Sequence, residues 1–210
     1  MAGTITALKP QRRRGGERVN VFVDEHFALS LDASVAASQH VEQELDAATL
    51  ARLTAADEHQ RAVNAACLLL SYRPRSVREV ETRLRRHGYS PAAIADARAR
   101  LDGWGLLDDA AFARYWVEQR ARFRPKGARA IVSELMAKGV ARETIDVVLG
   151  EADPNAETKR AREVIRRPMT RWLSMDERER KRKIHQYLVT RGFTYEVIEE
   201  VIAKPEADDE

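Results

Sequence analysis

Residues 126–140 read KGARAIVSELMAKGV, a short apolar stripe that ends at a glycine. Ile131 and Leu135 stand eight and four positions before Gly139, so both fall on one face of a helix. A glycine directly after such a stripe is typical of a helix end, where the chain adopts a left-handed conformation that other residues disfavour. Val140 follows at the position where a Schellman cap contacts Leu135. The segment therefore predicts a helix, a sharp stop and a bend.

The same frame occurs at two other glycines, one 51 residues earlier and one 53 residues later. Each copy has an apolar residue four positions before the glycine and another directly after it. The nine positions that define the frame are Leu84, Gly88 and Tyr89, then Leu135, Gly139 and Val140, then Leu188, Gly192 and Phe193. Units of about 50 residues bury their apolar faces poorly alone, so the repeat predicts helical units that stack on one another.

Each repeat is predicted to contain three helices. The first helix is expected at 62–72, at 109–123 and at about 155–166 in the three repeats. Capping boxes at 76–79 and 174–177 predict the start of the second helix, and Gly127 marks that start in the middle repeat. Ser90 and Thr194 are candidate caps for the third helix of the first and last repeats.

The beginning of the chain differs from the repeats. Alternating valines in 19–23, a turn at 24–26 and an apolar run at 27–29 predict a β-hairpin, with 5–8 as a third short strand. Residues 12–16, RRRGG, are too polar to pack and are expected to form a mobile loop. Residues 32–58 are predicted to form two short helices, with Asp46 and Thr54 as candidate caps.

These patterns predict a mainly α protein, in which a small N-terminal extension with a β-hairpin precedes three tandem three-helix repeats. The predicted domains are the extension at 1–60, the repeats at 61–105, 106–152 and 153–204, and an acidic tail at 205–210.

Charge is distributed unevenly along the chain. Lys plus Arg total 36 against 33 Asp plus Glu, which gives a net charge of only +3. Residues 71–105 and 111–150 nevertheless hold 8 basic and 4 acidic residues each, and residues 157–204 hold 13 and 8. The acidic excess lies in the first 61 residues, in two short joints and in the tail. Basic repeats of this kind favour a polyanionic or acidic partner.

Several classes of protein are excluded by what the sequence lacks. No apolar run approaches the roughly 20 residues of a membrane helix, and the start lacks a secretory signal, so a cytoplasmic protein is expected. A single Cys67 allows no internal disulfide. Phosphate-binding loops, metalloprotease motifs and nucleophile elbows are absent, and the five histidines lack ligand spacing. We therefore expect a binding protein with no catalytic residues, no cofactor and no metal.

Two connections between helices carry the same basic chemistry. Arg73 and Arg75 lie in one connection of the first repeat, and Arg122, Arg124 and Lys126 lie in the equivalent connection of the second. An ordinary solvated connection also explains charged residues at such a place. Recurrence at equivalent positions favours a basic ridge that meets phosphates or an acidic partner.

Two further features are assigned to structure rather than to binding. Trp104, Trp116 and Trp172 are able to stack on nucleobases, but we expect core packing for all three. The charge run at 176–183 is expected to pair with itself, four residues apart, as 176/180, 177/181 and 179/183.

At three of these stretches the sequence resembles the RecX family, bacterial regulators of the RecA recombinase. They are SYRPRS at 71–76, GLLDDAAFA at 105–113 and KGARAIVSELMAKGV at 126–140. The resemblance implies an elongated, curved array of three-helix modules that lies along the groove of a RecA–DNA filament and mainly inhibits RecA activities. It also implies no catalysis. Separately, we expect a monomer, and direct contacts with single- or double-stranded DNA are allowed.

We hypothesise that the basic residues of both connections form one continuous face for the filament. This face comprises Arg73, Arg75, Arg122, Arg124, Lys126 and Arg129. Two alternatives are a helix-turn-helix-like DNA-binding protein, with 76–102 as the motif, and a general helical scaffold that binds peptides. The would-be reading helix of the first alternative is rich in alanine and has few side chains that read bases.

Overall fold

The computed structural model describes residues 3–11, 18–153 and 155–204. The strands are β1 (Gly3–Gln11), β2 (Arg18–Val23), β3 (His26–Asp32) and β4 (Glu44–Leu45), and the helices are α1 (Ala33–Ala36), α2 (Ala47–Tyr72), α3 (Val77–Arg86), α4 (Pro91–Gly103), α5 (Asp109–Phe123), α6 (Ala128–Ala137), α7 (Arg142–Gly150), α8 (Ala156–Trp172), α9 (Glu177–Val189) and α10 (Tyr195–Ala203). The loop predicted at 12–16 and the acidic tail at 205–210 lie outside the described residues.

The chain forms two compact units. The first runs to Arg73 and also includes Val80–Leu107, and the second combines Pro74–Glu79 with the residues from Asp108 onward. The fold is mainly α, with the three-helix repeats and the N-terminal strands that the sequence predicts.

The N-terminal strands form one antiparallel sheet in the order β3-β2-β1-β4. The predicted hairpin is confirmed, and its two-residue turn places Asp24 and Glu25 at positive φ. The predicted third strand is confirmed as β1, although it is longer than expected and also pairs with β4. Ile5, Val21 and Leu31 are fully buried in the core of this sheet.

The prediction of two short helices in 32–58 was wrong. One short helix, α1, is followed by a single 26-residue helix, α2, that continues to the end of the predicted helix at 62–72. Asp46 does cap α2, because its carboxylate accepts from the Thr49 N–H at 2.7 Å. Thr54 does not cap a helix; its hydroxyl donates to the Leu50 carbonyl within α2. A threonine whose hydroxyl bonds to the carbonyl four residues earlier is compatible with a continuous helix.

The three glycine stops are confirmed. Gly88, Gly139 and Gly192 have φ values of +84°, +87° and +78°. In each case the next residue donates its N–H to the carbonyl of the frame leucine five positions earlier, at 3.1–3.3 Å, as a Schellman cap requires. A similar stop at Gly105, with φ +66°, ends α4 and was not predicted.

The third repeat departs from the sequence prediction at two helix boundaries. Asp176, and not Ser174, caps α9 by accepting from the Glu179 N–H at 2.8 Å. The first helix, α8, passes Pro168 and ends at Trp172 instead of near residue 166. Proline removes one helical hydrogen bond, but the residues beyond it, including Trp172, still pack on the core of this repeat. Tertiary packing therefore extends the helix past its local stop signal.

The tryptophans are only partly where they were expected. Trp116 packs beside Phe112 against the core of repeat 2, and Trp172 packs in repeat 3 with its ring centroid 5.4 Å from that of Tyr187. Trp104 contradicts the expectation of core packing, since it is 53% exposed. It occupies the C-cap of α4, at the exposed end of the helix, where the Arg100 guanidinium lies 5.3 Å from its ring.

The charge run on α9 pairs with itself in part as expected. Lys181 pairs with Glu177 at 2.6 Å, as predicted, whereas Glu179 lies 3.8 Å from Arg182, three positions away.

Candidate nucleic-acid interface

The connection after α5 presents two arginines to solvent. Arg122 and Arg124 are both exposed, and within the described chain neither forms a salt bridge. The guanidinium of Arg122 lies 5.2 Å from the ring of Phe123, and the Arg124 N–H bonds to the carbonyl of Arg120 at the end of the helix. Cations are favoured near a helix C-terminus, which explains why this position tolerates them.

Lys126 differs from these two arginines because its charge is already paired. Its ammonium binds Glu134, which also accepts from Arg120 Nε at 2.6 Å and from Trp116 Nε1 at 2.8 Å. Partial burial would raise the pKa of Glu134, but the hydrogen bonds from Lys126, Arg120 and Trp116 outweigh it and lower that pKa. Lys126 thus anchors the connection to α6 and does not offer a free charge.

The remaining predicted contact residues are placed differently. Arg129 is exposed at the start of α6. Arg73 and Arg75 are half-buried, and both interact with other groups. Arg73 belongs to the first compact unit and the other five predicted residues to the second. The single continuous face therefore remains a prediction.

The glycine turn of repeat 3 docks on the start of α6 in repeat 2. The N–H of Gly127 donates to the Arg191 carbonyl at 3.0 Å, and the N–H of Arg129 donates to the Gly192 carbonyl at 3.1 Å. The carboxylate of Glu157 accepts from the Ala128 N–H at 2.9 Å. These contacts satisfy helix N–H groups that lack an intrahelical partner.

The glycine turn of repeat 2 docks in the same way on the start of α3. The buried Ser76 hydroxyl donates to the Lys138 carbonyl at 2.7 Å and accepts from the Glu79 N–H at 3.1 Å. The latter bond confirms Ser76 as the predicted cap. Asp109 accepts from the Val77 N–H, and the Lys138 ammonium binds Glu79 at 2.6 Å.

A groove lies between repeats 2 and 3, beside the connection after α5. Its volume is about 710 Å³, and its lining includes Arg122, Arg124, Lys126, Arg191, Tyr187 and Glu163. The Arg191 guanidinium lies 3.5 Å from the centroid of the Tyr187 ring, and its Nη1 donates to the Tyr187 carbonyl. The groove therefore combines two exposed cations on one wall with a fixed cation on the other.

Arg191 was not among the predicted contact residues, although its position in the repeat could have indicated it. The residue just before the frame glycine is His87, Lys138 or Arg191 in the three repeats. A basic or titratable side chain thus recurs beside the glycine turn, the part of each later repeat that docks on its neighbour.

Metal and membrane chemistry find no support in the described residues. They contain no group of three or more His, Cys, Asp or Glu side chains able to hold a metal ion. Over the same residues, every helix is too short or too polar to cross a bilayer.

The fold and groove define a class of helical repeat protein in which an antiparallel sheet precedes three three-helix units. Family models match all of these parts. The RecX N-terminal domain matches residues 3–45, and the first, second and third three-helix domains of RecX match residues 62–101, 108–149 and 156–202. The chain belongs to the RecX family of regulatory proteins.

Relatives of known name support the same assignment. Regulatory protein RecX of Bacillus subtilis is 31% identical over 196 residues, which cover 92% of this chain and 74% of the relative. Regulatory protein RecX of Lactobacillus johnsonii is 33% identical over 200 residues, covering 94% and 73%.

Two crystal structures are also similar. A regulatory protein RecX superposes with a TM-score of 0.80 at 26% identity, over 96% of this chain and all of the other. RecX from Lactobacillus salivarius gives a TM-score of 0.67 at 26% identity, over 71% of this chain and 97% of the other.

Proposed function

We propose that this chain binds the RecA–DNA filament and mainly inhibits RecA activities, without catalysis of its own. It would act in the cytoplasm as a monomer, in recombination, DNA repair and the SOS response. Membership of a family of regulatory proteins supports the proposal. The observation that carries it is a pair of exposed arginines at an inter-repeat groove, Arg122 and Arg124, which form no salt bridge with any of the described residues.

Repeated units suit a filament partner for a physical reason. A filament presents the same phosphates and protein faces at regular steps, and a repeat array offers several small contact surfaces in succession. Each of the three repeat segments, 71–105, 111–150 and 157–204, carries more basic than acidic residues, so each repeat is able to approach a polyanion.

The helix-turn-helix alternative receives less support from the structure. The would-be reading helix, α4, buries Ala93, Ile94, Ala97 and Leu101. Two of its longer polar side chains are also occupied, since Arg98 binds Glu81 at 3.1 Å and Asp96 lies 3.6 Å from His59. Few side chains remain to read base edges.

The proposal is tested by measuring ATP hydrolysis by RecA on single-stranded DNA while this protein is titrated in. We expect the rate to fall as the protein concentration rises, at concentrations below that of RecA if the protein acts on filaments rather than on free subunits. Unchanged hydrolysis, with unchanged strand exchange, would contradict the proposal.

A further inference from the structure

The groove between repeats 2 and 3 is lined by more cationic side chains than carboxylates. In the described part of the chain, Arg122, Arg124 and Arg191 form no salt bridge, although all three line the groove. Glu163 is the one carboxylate among the described lining residues, and it binds Arg166 at 3.0 Å. Three arginines that line one groove without an acidic partner repel one another, and an anion bound in the groove would lower that repulsion.

Arg191 is held in place before any ligand arrives. Its side chain stacks on Tyr187 and bonds to the Tyr187 carbonyl, while its own carbonyl accepts from Gly127 across the junction. Little side-chain entropy remains to be lost when such a cation binds an anion. Repeat 3 thus supplies a preorganised cation opposite the exposed arginines of repeat 2.

A further cation, Arg160, lies on α8 without lining the groove itself. Arg160 lies one helical turn before Val164, a groove residue, on the same face of α8. Its Nε is buried and has no hydrogen-bond partner among the described residues. Burial disfavours the charged guanidinium and lowers the pKa of Arg160, although the charge of Glu157 opposes that shift, so an anion near Nε would lower the remaining cost.

We propose that this groove binds the phosphodiester backbone of a nucleic acid directly, through Arg122, Arg124 and Arg191. The inference deepens the proposed function, and rests on it for its role at the filament, by giving this chain a nucleic-acid site of its own. Guanidinium groups bind phosphate oxygens in a bidentate manner, which favours phosphate over a single carboxylate. Tyr187, Val164 and Pro125 give the groove an apolar wall for sugars or bases.

The test uses the full chain without RecA and a fluorescein-labelled oligothymidylate, followed by fluorescence anisotropy at several salt concentrations. Arg124→Glu should weaken binding about tenfold or more and make the salt dependence shallower by about 0.7 in log–log slope, because one phosphate contact is lost. Arg85→Glu is the matched control, since Arg85 is exposed on α3 and does not line the groove. This control should change binding less than about twofold, because salt screens a charge that makes no direct contact with the ligand.

A gain of binding provides a second, independent test. Glu163→Gln removes the groove carboxylate and should tighten oligothymidylate binding about twofold to fivefold. Glu177→Gln changes the total charge equally but removes an exposed carboxylate that binds Lys181 on α9. Binding by this control should remain close to that of the unaltered protein.

Three results would overturn the inference. They are equal binding by Arg124→Glu and the unaltered protein, no oligonucleotide binding at low salt, and displacement of the oligonucleotide by a polyglutamate peptide as readily as by pyrophosphate. The last result would assign the groove to an acidic protein segment. Inhibition of RecA without oligonucleotide binding would refute this inference alone, whereas groove-dependent binding without inhibition would refute the proposed function alone.

Discussion

The junctions of repeat 2 with its two neighbours solve the same packing problem with different chemistry. In both, the glycine turn of one repeat docks on the first turn of a helix in the preceding repeat. The first junction uses a side chain, Ser76, to bond the turn. The second uses the backbone of Gly127, where a Cβ atom would clash with the backbone of Phe193. At the first junction there is room for a serine side chain between the helix start and the glycine turn. At the second junction the turn lies so close to the helix start that only a glycine fits.

The two basic connections also differ, in how exposed their arginines are. Arg73 and Arg75, which precede Ser76, are half-buried and engaged by other groups. Arg122 and Arg124, which precede Gly127, are exposed beside a groove that repeat 3 completes. Equivalent sequence positions therefore have unequal freedom to bind a partner, and the second connection is the better candidate for recognition.

The largest expected loss of stability comes from replacing a frame glycine by alanine, and its size should differ among the three glycine turns. Gly192→Ala should cost about 3 to 4 kcal/mol, because a positive φ is strained and the new Cβ would meet Ala130 backbone within 2.6 Å. Gly139→Ala should cost less than Gly192→Ala, since the three atoms nearest its Cβ belong to the Arg78 side chain and none is backbone, but more than the strain alone, because one of them is the Arg78 Cβ at 2.5 Å. Gly88→Ala, with open space around it, should show the strain alone, about 1 to 2 kcal/mol. Urea unfolding of the three variants gives the order, and equal losses would contradict it.

Gly127→Ala tests the close approach at the second junction without backbone strain, because φ is −75° there. Overpacking against the Phe193 backbone should destabilise the protein by about 2 to 3 kcal/mol. Gly150→Ala is the control, since nothing lies within 4 Å of the position that its methyl group would occupy and alanine favours the helix. Thermal unfolding that shows no difference between these variants would mean that the junction is looser than described.

Ser76→Ala tests the side chain that holds the first junction. The change removes the acceptor for the Glu79 N–H and the donor for the Lys138 carbonyl at a fully buried position, so a loss of about 1 to 2 kcal/mol is expected. Ser76→Thr retains the hydroxyl and should recover part of that loss if its methyl group fits. A Ser76→Ala protein as stable as the original would show that water or another group replaces both bonds.

The smallest expected effect concerns Glu134 and the pH dependence of stability. Because the pKa of Glu134 is lowered in the folded protein, its ionised form adds stability above the ordinary carboxyl pKa, near 4.5, and that stability is lost as pH falls through the lower folded value. Glu134→Gln should lower stability at pH 7 by less than about 1 kcal/mol and flatten the dependence below about pH 5. Parallel pH profiles of melting temperature for the two proteins would contradict this prediction.

The repeats were predictable because their signals are local in the sequence. The length of α8 and the exposure of Trp104 were not, because they depend on the folded structure. The frame glycines and Asp46 act within a few residues, so the sequence alone identified them. Helix α8 passes Pro168 because residues beyond it pack on the core of repeat 3, and the local sequence pattern contains no sign of that packing. Trp104 was assigned to the core from its apolar neighbours in the sequence, whereas its place at a helix end exposes it.

The candidate groove shows the same division. Arg122 and Arg124 were predicted because they recur at an equivalent place in two repeats. Arg191 lies beside them only because the repeat 3 turn docks on the start of α6. Lys126 offers no free charge, because it pairs with Glu134, eight residues away in the sequence. Pairing of this kind depends on helix orientation and is not readable from charge alone.

We propose the connection after α5, with Arg122 and Arg124, as the contact surface for the RecA–DNA filament. The most direct measurement is the concentration of this protein that halves RecA ATP hydrolysis on single-stranded DNA, for Arg122→Glu/Arg124→Glu and for the charge-matched control Arg85→Glu/Arg86→Glu. We expect at least about a tenfold higher concentration for the first variant, little change for the control, and nearly unchanged melting temperatures for both, because all four side chains are exposed. Equal inhibition by the two folded variants would contradict the claim.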